Sequence, residues 1–225
     1  MKLYFVRHGE STANVLGEFS NSGAKHPLTE KGVEQAHSLV LSLTSLLSDS
    51  QVGRLSDSPV ERIYSSPVLR AMQTAQIIQE SLSVRLEISE ALREWSVGAY
   101  EGTTDPTGWA LHRQVQEDWF YHHRLDSKMP GGESFLDIRA RFIPFIEKLV
   151  KDWGSTDRQF ILVAHGGLYL SMLPDIFKNV SYEFALENLF PYTACTIAES
   201  RPDGLWCLSW CGVSLEPDIN HGFLQ

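Results

Sequence analysis

Two short apolar runs near opposite ends of the chain each terminate in the same dipeptide. Leu3-Tyr4-Phe5-Val6 leads into Arg7-His8-Gly9-Glu10, and Gln159-Phe160-Ile161-Leu162-Val163-Ala164 leads into His165-Gly166-Gly167. Both runs are continuously apolar and too short for helices, which is the pattern of strands buried on both faces of a parallel sheet. In such sheets chemistry collects beyond the carboxyl ends of the strands. Adjacent parallel strands would bring His8 and His165 to one edge, with Arg7 beside them as a cation. Gly9 would let the backbone turn sharply and a ligand approach closely.

The remaining pattern fits an α/β frame. After a polar loop over Ser11 to Pro27, Thr29 stands as a helix N-cap ahead of Val33, Ala36, Leu39, Val40, Leu43 and Leu47, one apolar stripe at helical spacing. Ser48 to Pro59 is Ser/Asp-rich and predicts an exposed loop. Arg62 to Ser65 predicts a strand, Pro67 a first helical position with the helix running to Leu82, and Val84 to Ile88 a short strand. An aromatic helix is expected near Trp109–Tyr121, and an apolar one over Glu133 to Val150 with a kink at Pro144. A hairpin closes the pattern: Thr193–Ala198, a turn at Arg201 to Gly204, then Leu205–Trp210. The expected fold is a three-layer α/β/α sandwich around a mostly parallel, mixed sheet. Residues 1–225 form one expected domain. The irregular stretch at about 90–132 is its lid or specificity insert.

Composition narrows the partners. The 225 residues carry 19 Lys plus Arg against 28 Asp plus Glu, a formal net charge of −9. That excludes nucleic acid and anionic membrane as general partners, since both require a basic face, and leaves a small anion held by locally concentrated cations. No charged-then-apolar leader and no bilayer-length run is visible, and three cysteines (Cys195, Cys207, Cys211) make no disulfide framework. The cytoplasm is the expected location.

These pieces, taken together, resemble the histidine phosphatase superfamily and its phosphoglycerate mutase-like fold. The matching residues are Arg7-His8-Gly9-Glu10-Ser11 with Asn14, Leu28-Thr29-Glu30-Lys31-Gly32, Tyr64-Ser65-Ser66-Pro67 leading to Arg70-Ala71 and Thr74-Ala75, Leu92-Arg93-Glu94, and Val163-Ala164-His165-Gly166. The resemblance implies a phosphate monoester hydrolase that uses no metal or other cofactor. In it His8 attacks phosphorus, its ring fixed through the other nitrogen by a backbone carbonyl. Arg7 and Arg70 grip phosphoryl oxygens, and His165 donates a further contact. Glu94 would be the general acid and base, with Glu101 and Glu10 as rivals. Ser11, Asn14, Gly166 and Gly167 would touch substrate, although capping serves Ser11 and Asn14 equally well. The expected partner is a small phosphorylated metabolite, and oligomeric state stays open.

Two alternatives accompany this reading. Mutases of the family follow their acid with Arg-x-Tyr-Gly, but Glu94 is followed by Trp95-Ser96-Val97-Gly98. Arg113 and Arg124 stand alone in the insert, and Gly167 occupies a position where mutases carry Asn. Hydrolysis is therefore favoured over mutase-type transfer. A non-catalytic phospho-ligand-binding protein is disfavoured because the whole set of reactive residues is present. His112, His122 and His123 with Asp118 and Asp126 lack metal-ligand spacing. Trp95, Trp109, Trp119 and Tyr121 are expected to form the core of the insert, one or two of them lining the substrate mouth. His26 is a weak specificity candidate.

Overall fold

The computed structural model describes residues 1–48 and 60–215. In chain order the elements are β1 (Lys2–Arg7), α1 (Thr12–Leu16), α2 (Glu30–Ser48), β2 (Val60–Ser65), α3 (Leu69–Leu82), β3 (Leu86–Ile88), α4 (Pro106–Phe120), α5 (Phe135–Trp153), β4 (Gln159–Ala164), α6 (Gly166–Ile176), α7 (Tyr182–Glu187), β5 (Cys195–Arg201), β6 (Gly204–Trp210) and β7 (Val213–Ser214). The sheet has seven strands in the order β3-β2-β4-β1-β5-β6-β7. β1 to β4 are mutually parallel, and β5, β6 and β7 add antiparallel pairs on one side. This is the mixed α/β sheet expected from the sequence.

Strand alternation sorts the core into two layers. Leu3, Phe5, Phe160, Leu162 and Ala164 join the cluster formed with α5 and α6. Their neighbours Tyr4, Val6, Ile161 and Val163 join the cluster with Leu39, Leu43, Ala71, Ala75 and Ile78 of α2 and α3. Side chains on a strand point alternately to opposite faces, so a run apolar at every position must be covered on both.

Several boundaries differ from expectation. Val68, not Ser66, is the N-cap of α3, so Pro67 precedes the helix rather than opening it. β3 begins at Leu86 instead of Val84. α4 starts earlier than expected, because the Asp105 side chain accepts from Thr107 N and Pro106 occupies the first turn. α5 is capped by Ser134 and continues through the exposed Pro144 to Trp153. Thr29 does cap α2, its hydroxyl accepting from Gly32 N at 3.0 Å. Two short helices, α1 and α7, and the two-residue β7 were not anticipated. All but the first residue of the loop expected over Ser48 to Pro59 lies outside the described residues.

Candidate active site

Register places the two histidines together. β1 and β4 pair in parallel with Arg7 opposite Ala164, so the next residue of each strand is a histidine. His8 N donates to Ala164 O at 3.0 Å, and the two imidazole centroids lie 5.1 Å apart. Gly9 is required here by a close approach of backbone to backbone. A Cβ at Gly9 would lie 2.4 Å from Gly32 O, and one at Gly32 would lie 1.9 Å from Glu10 O. The start of α2 packs directly against Gly9.

Hydrogen bonding fixes the His8 tautomer. Nδ1 lies 2.6 Å from Gly9 O, and a carbonyl only accepts, so Nδ1 carries the proton. Nε2 is then a free lone pair, and Arg70 Nε donates to it at 2.9 Å. Burial, with Arg70 and Arg7 nearby, pushes the imidazole well below its usual pKa and keeps it neutral.

Arg70 links the whole site. It comes from the first turn of α3 and is itself buried, which lowers its pKa to about 10 and leaves it charged at neutrality. Besides His8, its Nη2 donates to His165 Nδ1 at 3.2 Å, and its Nη1 donates to Ser20 O. His165 therefore accepts at Nδ1 and donates from Nε2 to Ser66 Oγ at 2.8 Å. It is fully buried and does not line the cavity. The expected donor from His165 toward a phosphoryl group is not presented in this arrangement. Burial and the Arg70 cation keep the ring neutral, with both nitrogens engaged.

Arg7 ends β1 facing the same cavity. Its Nη1 donates to Phe190 O, and its guanidinium carbon sits 4.2 Å from the Tyr192 ring centroid. Its Nε is buried with no hydrogen-bond partner among the described residues. A buried donor in that state costs stability unless something accepts from it, and a ligand oxygen would do so.

Glu94 also faces the cavity. Trp95 N donates to one oxygen at 3.1 Å and Gly167 N to the other at 3.0 Å. Desolvation still prevails over these amides and over Arg70, so its pKa is raised. The Gly167 amide is thus committed to the Glu94 carboxyl group, and a Cβ there would fall 2.9 Å from its oxygens. The rival acids point elsewhere. Glu10 binds Thr29 and Lys31, while Glu101 accepts from Asn21 N, Ser22 N and Ser22 Oγ and so ties down the loop that carries Ser20. Arg93 turns away toward Glu90 and Glu133.

The proposed substrate contacts divide. Asn14, Gly166 and Gly167 line the cavity. Ser11 is fully buried, and its hydroxyl and amide both donate to Asn14 Oδ1, at 2.8 and 3.0 Å, so it caps α1 instead. His26 is buried between Thr12 Oγ1 and Glu18 Oε1 and acts on the cavity only through Glu18, which lines it. Ser66 and Tyr192 were missed as site residues. Ser66 lay inside a matched motif without a role, and nothing in the sequence around Tyr192 marks it. Among the described residues no group of three or more His, Cys, Asp and Glu side chains is gathered as metal ligands. No helix there is long and apolar enough to cross a membrane.

The family model of the histidine phosphatase superfamily (branch 1) matches residues 3–212. The chain belongs to this superfamily. Among relatives of this histidine phosphatase, the adenosylcobalamin/alpha-ribazole phosphatase of Salmonella typhimurium is 32% identical, covering 77% of each chain. The glucosyl-3-phosphoglycerate phosphatase of Mycobacterium tuberculosis is 30% identical, over 79% of this chain and 75% of its own. The structure of Bacillus stearothermophilus YhfR superposes with a TM-score of 0.74 at 24% identity, over 95% of this chain and 98% of that one, and supports the fold.

Proposed function

We propose that this protein hydrolyses phosphate monoesters by way of a phosphohistidine on His8. The observation that carries this reading is the His8 ring itself. Nδ1–H is tied to Gly9 O, and Nε2 keeps its lone pair beside the Arg70 guanidinium. An incoming phosphoryl oxygen takes over the Arg70 N–H groups and the idle Arg7 Nε, which frees Nε2 to attack. The Nε2–P bond forms as the ester P–O bond breaks, and the departing alkoxide takes the proton of Glu94. The Glu94 carboxylate then removes a proton from water, the water oxygen bonds to phosphorus, and the N–P bond breaks to release inorganic phosphate. His165, fixed by Ser66, holds Arg70 in place before the ligand arrives. The phosphatases among the relatives support hydrolysis.

Within the single domain proposed for residues 1–225, the segment at about 90–132 contributes Glu94, Trp95, Trp109, His112 and Gln116 to the cavity wall, which supports its role as a specificity insert. Three free cysteines suit a cytoplasmic location. Arg113 and Arg124 do not line the cavity, so the grip that a mutase needs on a second charged group is not supported.

Incubation with a 32P-labelled ester followed by an alkaline quench should trap an alkali-stable, acid-labile label that disappears in His8→Ala. A wild type without label and without phosphate release across a broad ester panel would overturn the reading. Glu94→Gln should slow alkyl phosphates far more than p-nitrophenyl phosphate, whose leaving group hardly needs a proton. Equal losses on the two would remove Glu94 from the acid role.

A further inference from the structure

The cavity of about 480 Å³ is lined by two chemically distinct groups of side chains. One comprises Arg7, His8, Arg70 and Glu94. The other is the aromatic and apolar set around Trp109 and His112. Phe19 stacks on Trp109 with centroids 3.9 Å apart, and Trp95 stacks on His112 at 4.4 Å. Phe19 and Trp95 are almost wholly buried, whereas Trp109 and His112 keep accessible surface, and all four line the cavity. The two stacked pairs hold one another in place at the wall. Trp109 is locked further, since its Nε1 donates to Gly17 O at 2.9 Å.

Charge in this second group is equally telling. Among the described residues, Arg7 and Arg70 are the only Lys or Arg side chains lining the cavity, and both belong to the phosphoryl group of residues. His112 adds no cation, because burial holds its pKa at about 4. Glu18 lines the cavity and contributes a carboxylate, paired outward with Lys25 and His26. A second anionic group on a substrate would thus meet no counter-charge. Neutral His112 offers one donor and one acceptor, and Gln116 stands one turn along α4 with an uncharged amide.

Building on the phosphomonoester reading above, we infer that the aromatic set forms a specificity pocket for an uncharged aromatic or heteroaromatic group on the alcohol side of the ester. It is selective against esters that carry a carboxylate or a second phosphate. The ring packs on Trp109 and His112, and polar atoms on its edge meet His112 and Gln116.

Binding of non-hydrolysable phosphonates tests this without relying on turnover. Titration calorimetry would compare 3-phenylpropylphosphonate, butylphosphonate and 3-carboxypropylphosphonate on the full chain. The phenyl compound should bind about tenfold or more tightly than either of the others. Trp109→Ala should reduce that margin to about threefold or less, and Gln116→Arg, on a partly exposed helical position, should improve the carboxylate compound about fivefold or more. Carboxylate binding equal to or tighter than phenyl in the wild type, a phenyl-to-butyl ratio below about threefold, or no binding of any of the three overturns the inference. Retained selectivity in a protein that forms no phosphohistidine would count against the hydrolase reading alone.

Discussion

Arg70 holds a position that a lysine could not fill. Three of its nitrogens reach three separate acceptors, on His8, His165 and Ser20, and only a planar fork spans such a set. Arg70→Lys should therefore behave nearly like Arg70→Ala, with both losing on the order of a hundredfold in turnover, as for a missing transition-state donor. Steady-state kinetics on one alkyl phosphate checks this, and a lysine variant within about threefold of wild type contradicts it. Ser66 acts one step further back. Ser66→Ala leaves His165 Nε2–H buried without an acceptor, a cost of ~1–3 kcal/mol. The expected result is a kcat lower by roughly tenfold with KM nearly unchanged, recovered in Ser66→Thr. His8, Arg7 and Arg70 were legible in sequence because each sits where a strand ends or a helix begins. The donor orientation expected of His165 was not, since a tautomer depends on which atoms face the ring, and Ser66 is far from it in sequence.

The strand ends and helix starts do the positioning. Gly9 and Gly32 bring the turn after β1 against the first turn of α2, backbone to backbone. Gly32→Ala should clash with Glu10 O, which has no flexible end to move aside. A loss of ~1–3 kcal/mol or more in urea unfolding is expected, together with reduced activity because His8 and Glu10 lie on the same turn. An unchanged urea midpoint would show that the two segments separate easily. At this scale β1 and β4 were readable from apolar runs, α2 from its stripe and α5 from its apolar content, whereas the two-residue β7 was not. The start of α4 at Asp105-Pro106 follows from ordinary capping chemistry that was present in the sequence but overshadowed by the aromatics after it. α1 and α7 are too short to show periodicity, so no pattern could have revealed them.

Across the whole molecule, two buried neutral histidines make stability depend on pH. In the unfolded chain each binds a proton near pH 6.5, whereas in the folded protein both pKa values lie well below that. Their contribution is full above 6.5 and is lost as pH falls through it, by up to ~1.4 kcal/mol per pH unit for each group. His112, held at about 4, acts in the same direction. Glu94 opposes them, because its raised pKa favours the folded state as pH falls. Urea unfolding at pH 7 and 5.5 should show a net loss of ~1–3 kcal/mol on acidification. The slope should flatten in a His8→Asn, His165→Asn double variant. An equal slope in both proteins would show that these rings are not what titrates.

The pairing of Arg7 with Ala164 also sets a timetable. Of the described strands β1 leaves the ribosome before the rest, and its partners β4 and β5 follow only after α5, so His8 is synthesised long before its neighbours on the sheet can hold it. Contacts this distant in sequence form late and slowly. A growing chain therefore carries His8 as an ordinary solvated imidazole and acquires its reactivity only when the sheet closes.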